Sequence, residues 1–79
     1  MARPTRLTNR IADLRAGAGQ MTQKNLADRV GVTRQTVNAI ELGKYSPSLE
    51  VAFKIARELD VPLEGVFQYP QAPPRQPSN

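Results

Sequence analysis

Cysteine and histidine are both absent from this chain. Without cysteine there is no disulfide and no thiolate metal site. Without histidine the commonest general base and the commonest metal ligand are missing together. No phosphate-cradling glycine loop, metal-ligand cluster or nucleophile–base pair stands in their place, so an enzyme is not expected and no cofactor is implied. Gly17 and Gly19 lack a strand–loop–helix setting. No apolar run approaches a membrane span or a signal-peptide core, which points to a soluble cytoplasmic protein. At 79 residues there is room for one domain with a thin hydrophobic core, and none for a separate ligand-sensing domain, so no small-molecule ligand is indicated.

Acidic residues are also scarce where basic ones collect. Residues 1–45 carry eight Lys and Arg against three Asp and Glu, a balance of +5. Residues 46–79 carry three against four, a balance of −1. Positive charge gathered on one half of a small domain suits a polyanion-binding face, although a merely solvated basic surface has the same composition.

The most informative stretch lies in the basic half. Residues 22–43 read TQKNLADRVGVTRQTVNAIELG. Leu26, Ala27 and Val30 fall on one face at helical spacing, and Val37, Ile40 and Leu42 supply a second face after a break at Gly31. Ala27 is small where two helices must cross closely. Gly31 suits a C-terminal cap with positive φ. Thr33 can cap the second helix. The spacing therefore predicts two short helices about a tight turn, a geometry that places the second helix in the DNA major groove.

Gln23, Leu26, Ala27, Gly31, Val32, Gln35, Val37, Ile40, Glu41 and Gly43 together resemble the phage-repressor (Cro/C1-type, Xre-like) helix-turn-helix regulators, and the similarity runs from about residue 9 to residue 69. The resemblance implies an all-α, compact five-helix, lambda-repressor-like DNA-binding domain. The chain divides into a flexible basic arm (1–7), the DNA-binding domain (8–69) and a disordered Pro-rich tail (70–79), where PQAPPRQPSN holds four prolines in ten residues. The first helix is expected over 9–16 with Thr8 as N-cap and Ile11 and Leu14 inward, and Gly17 and Gly19 are expected to end it. The second is expected over 23–30, the third over 34–42. The fourth, 49–59, is capped by Ser48 and carries the broadest apolar face, formed by Leu49, Ala52, Phe53, Ile55, Ala56 and Leu59. A short fifth helix starts at Pro62 and ends near Phe67. No segment carries a strand signal.

With Val37 and Ile40 inward, the outward arc of the third helix offers Arg34, Gln35, Thr36, Asn38 and Ala39 for base readout. Arg34 matches guanine O6/N7, Gln35 matches adenine N6/N7, and the methyl of Thr36 or Ala39 can meet a thymine methyl. The small Ala39 stands where some members of the family have a long polar side chain, which shifts readout toward the N-terminus of the helix. Phosphate contacts are expected from Gln23, whose role follows from the resemblance and suits the first turn of a helix, and from Thr33, Asn38, Lys44, Tyr45 and Arg10, with Arg3 and Arg6 on the arm. The resemblance also implies that Arg15, late in the first helix, pairs with Glu41, late in the third, as a structural brace. The bland alternatives are a solvated Arg34, a Thr36 bonded within its own helix, a Tyr45 ring covering the core edge, and disorder at Arg3 and Arg6.

Together these readings predict a sequence-specific transcriptional regulator of the repressor type, binding double-stranded DNA as a homodimer. The dimer surface is expected on the fifth helix and residues 61–69, with Val66, Phe67 and Tyr69 uncovered unless they close the monomer core. The competing reading is a protein-interaction module of the antitoxin type, with the Pro-rich tail as a binding segment.

Overall fold

A computed structural model describes residues 5–70. The proposed tail beyond Pro70, and Arg3 on the arm, lie outside those residues. Five helices follow in order: α1 (Ile11–Gly17), α2 (Gln23–Val30), α3 (Arg34–Glu41), α4 (Leu49–Leu59) and α5 (Leu63–Val66). They enclose a core of Ile11, Leu26, Ala27, Val30, Val37, Ile40, Ala52, Ile55, Ala56, Leu59, Val66 and Phe67, which contains no buried polar or charged residue. The domain is thus the all-α bundle that the apolar spacing requires.

Local chemistry sets the helix ends. The hydroxyl oxygens of Thr22, Thr33 and Ser48 accept from the backbone N–H groups of Asn25, Thr36 and Val51, each three residues on. At Thr22 this is reciprocal, because the Asn25 side chain accepts in turn from the Thr22 N–H. Gly31 sits at φ 81°, where a residue with a Cβ is strained, and its N–H bonds to the Ala27 carbonyl. At the end of α3, Gly43 takes φ 73°; its N–H and that of Lys44 bond to the carbonyls of Ile40 and Ala39.

The structure departs from the sequence expectations at the ends of the domain. Two short antiparallel strands, β1 (Thr8–Asn9) and β2 (Phe67–Gln68), pair Thr8 with Gln68 and Asn9 with Phe67. Thr8 therefore does not cap α1. Its hydroxyl donates to the Gln68 carbonyl instead, and α1 starts two residues later than expected, at Ile11. Gly17 closes α1 rather than lying beyond it, and the reversal is made by Gly19 and Gln20, both at positive φ. Leu7 packs against the core. Val66 and Phe67 are buried and close the monomer core, leaving Tyr69 exposed. On α4 the inward stripe is narrower than the sequence suggests: Leu49 is 67% and Phe53 54% exposed. Leu42, past the end of α3, is also exposed.

Asn9 explains why the strand pair matters to α3. Its Nδ2 donates to the Ile40 carbonyl at 2.9 Å, and its Oδ1 accepts from the Ile11 N–H at 3.1 Å. One half-buried amide thus adds a second donor to the Ile40 carbonyl, which also accepts from the Gly43 N–H, and satisfies an orphan N–H at the start of α1. Asn9→Ala is expected to cost about 1–3 kcal/mol, because the Ile11 N–H loses its partner in a partly buried place and the end of α3 loses its tie to β1. Thr8→Val, which removes only an exposed hydroxyl bond, is expected to cost well under that; urea denaturation of both variants checks the contrast.

Candidate nucleic-acid interface

α2 and α3 pack through Leu26, Ala27, Val30, Val37 and Ile40. With Val37 and Ile40 buried, the polar residues of α3 are sorted by exposure. Arg34, Gln35 and Asn38 are exposed, and the side chains of Arg34 and Gln35 make no hydrogen bond among the described residues. Thr36 and Ala39 are half-buried. The Thr36 hydroxyl lies 3.0 Å from that of Thr33, so its polar atom is engaged locally. The exposed arc of α3 is therefore Arg34, Gln35 and Asn38, with Thr36 and Ala39 offering apolar edges at most.

Behind this arc lies a chain of polar bonds that joins three helices. Arg15 Nε donates to Glu41 Oε2 at 2.7 Å, and its Nη2 donates to Oε1 at 3.1 Å. A third bond runs from Arg15 Nη1 to the Met21 carbonyl at 2.7 Å, tying the ion pair to the α1–α2 connection. The Arg15 and Glu41 side chains are only 17% and 9% exposed, so the pair is shielded from solvent and salt. Gln23, at the first position of α2, donates from Nε2 to Glu41 Oε1 at 2.9 Å and to Asn38 Oδ1 at 3.1 Å. The sequence alone had no means of finding the Gln23–Asn38 contact, since the two amides are fifteen residues apart and on different helices.

Charge around the arc is uneven. Among the described residues, Arg6, Arg10, Arg34 and Lys44 pair with no carboxylate. Lys24 pairs with Asp28 at 3.1 Å and Arg29 with Glu58 at 3.5 Å, both exposed and worth little. A shallow depression beside the start of α2 is bounded by Thr22, Gln23, Lys24 and Arg34 and brings a free guanidinium to the positive end of that helix. Arg10 is exposed just before α1. Lys44 and Tyr45 are exposed in the loop that follows α3, and Thr33 is exposed with its hydroxyl in the cap. The backbone N–H of Thr5 donates to the Gly43 carbonyl at 3.1 Å, which holds Thr5 against that same loop.

Comparison with known proteins gives a consistent result. A family model described as helix-turn-helix matches residues 11–66. An uncharacterized HTH-type transcriptional regulator of Methanocaldococcus jannaschii is 55% identical over 49 residues, covering 62% of this chain and 74% of the relative. Another from Archaeoglobus fulgidus is 48% identical over 61 residues, 77% of this chain and 84% of the relative. The Bacillus subtilis regulator YgzD is also 48% identical over 61 residues, and 91% of it is covered. Among solved structures, a candidate DNA-binding protein from Bacteroides fragilis superposes with a TM-score of 0.68 at 27% identity, spanning 78% of this chain and 98% of that one.

Glu41→Ala is expected to cost about 3–5 kcal/mol, because the Nε and Nη2 donors of the shielded Arg15 guanidinium would lose their only acceptor and its charge its partner. The double variant Arg15→Met/Glu41→Leu should lose less than the sum of the two single losses. A double-mutant cycle by urea denaturation checks both statements.

Proposed function

The chain belongs to the helix-turn-helix family, and from that premise we propose that it is a cytoplasmic transcriptional repressor that reads duplex DNA by inserting α3 into the major groove as a homodimer. The observation that carries the reading is the exposed arc of Arg34, Gln35 and Asn38 on a short helix fixed from behind. Arg34 reads guanine O6/N7, Gln35 reads adenine N6/N7, and Thr36 and Ala39 pack against thymine methyls. Gln23, Thr33, Lys44, Tyr45 and Arg10 hold phosphates on either side and set the register of the helix. Arg15 and Glu41 brace that helix and touch no DNA.

Dimerisation follows from the economy of contacts. One small domain reaches too few bases for tight specific binding, whereas two copies read half-sites about 34 Å apart. With Val66 and Phe67 closing the core, Tyr69 alone of the expected dimer residues named stays exposed, and another apolar patch open to a second copy is formed by Leu49 and Phe53 on α4 with Val61, Pro62 and Leu63 across the groove from it. Glu50, Lys54, Arg57 and Asp60 line the same groove, so the patch carries both signs of charge and can complement itself across a two-fold axis.

Selection from a randomised duplex pool should enrich a short inverted repeat. Arg34→Ala/Gln35→Ala should lose that enrichment, while affinity for mixed-sequence DNA falls only modestly. Log affinity should decline linearly with log salt, and Lys44→Ala alone should make the slope shallower by about one unit, because its ammonium neutralises one phosphate. Sedimentation should give a dimer that Phe53→Glu converts to monomers. Equal, purely nonspecific binding by the wild type and the double variant would reject the reading.

A further inference from the structure

The bonds behind α3 follow an order that decides what Asn38 can read. Arg15 is a pure donor and engages both oxygens of Glu41, which holds the carboxylate in one orientation. A carboxylate only accepts, so Gln23 must turn its NH2 rather than its carbonyl toward Oε1, 2.9 Å away. The same nitrogen lies 3.1 Å from Asn38, and an amide nitrogen offers no lone pair. Asn38 must therefore turn its carbonyl inward. Its NH2 is left on the exposed face of α3, one turn beyond Arg34 and with no partner among the described residues.

Resting on the reading of α3 as the recognition helix, we infer that Arg15, Glu41 and Gln23 act as a relay that fixes the amide of Asn38 as a donor-only reader of an acceptor edge in the major groove. The usual match of an asparagine to adenine uses both halves of the amide, accepting from N6 and donating to N7. With Oδ1 turned inward onto Gln23, only the NH2 half of the amide faces the groove, so Asn38 donates there and its remaining lone pair points away from the bases. Guanine, whose N7 and O6 are adjacent acceptors, is then preferred, and adenine is penalised because its N6 amino group meets another amino group. Asn38 is the specificity-determining residue here. Gln23 is a positioning residue for it, whatever phosphate its own carbonyl reaches.

The test uses the full chain and the operator found by selection. Each guanine of a half-site is exchanged for adenine, and separately for 7-deazaguanine, with affinities measured for the wild type, Asn38→Ala and Gln23→Met. One position should favour guanine by roughly tenfold or more in the wild type. Asn38→Ala should abolish that preference. Gln23→Met should reduce it to about threefold or less, since the freed amide can flip to suit adenine, while lowering affinity for all sites in parallel. A preference that survives Gln23→Met unchanged, or no position that responds to Asn38→Ala, overturns the relay. Side-chain 15N relaxation in the free protein supplies a readout that needs no DNA. The Asn38 amide should be rigid in the wild type and mobile in Gln23→Met; a mobile amide in the wild type overturns the relay on its own. Absence of any operator, with that amide rigid, would instead reject the recognition-helix reading on which the inference rests.

Discussion

The shielded Arg15–Glu41 pair is the constraint on which the arrangement of the domain depends. The apolar core sets how closely the helices approach, but hydrophobic burial itself has no direction. The ion pair is directional. It joins the end of α1 to the end of α3, reaches the α1–α2 connection through the Met21 carbonyl, and orders the first residue of α2 through Gln23. Burying charge of this kind is a costly way to gain stability, since desolvation consumes much of the attraction. Its effect lies in geometry: three helices can satisfy those donors and acceptors together in few arrangements.

A second set of polar bonds holds the opposite side of α3. Asn9 ties the last carbonyls of that helix to the start of α1, and the β1–β2 ladder ties Asn9 to the C-terminal end of the domain. The helix is thus held at Glu41 by a salt bridge from α1 and at Ile40 by an amide from β1. Both ties lie at its C-terminal end, and the buried side chains of Val37 and Ile40 anchor it in the core. A helix of eight residues has little stability of its own, so its pose comes from these tertiary ties rather than from intrinsic propensity.

Much of this was legible in the sequence, and the reasons are specific. Thr33 and Ser48 stand directly before apolar-periodic runs, and a capping residue acts within three positions of itself, so sequence reading finds it. Gly31 was legible for the same reason. The strand pair was not, because two residues carry no periodicity and the partners lie about sixty residues apart. The surplus of apolar residues on α4 misled in the other direction. Leu49 and Phe53 share the spacing of the core stripe, yet both are more than half exposed. Arg15 and Glu41 were paired only through family resemblance. Asn9 and the Gln23–Asn38 contact were missed altogether, since an amide bonded across the fold looks like any surface amide in the text of the chain.

The separation of apolar core from polar face has an evolutionary consequence. Arg34 and Gln35 bond to nothing else in the described protein, so exchanging them leaves folding almost untouched. Duplicated copies of such a domain are free to drift toward new targets at these two positions at little structural risk. Asn38 is different, because its carbonyl belongs to the scaffold. A lineage that changes it takes from Gln23 one of its two acceptors and leaves it only Glu41, so that position should hold its identity longer than its exposure would suggest.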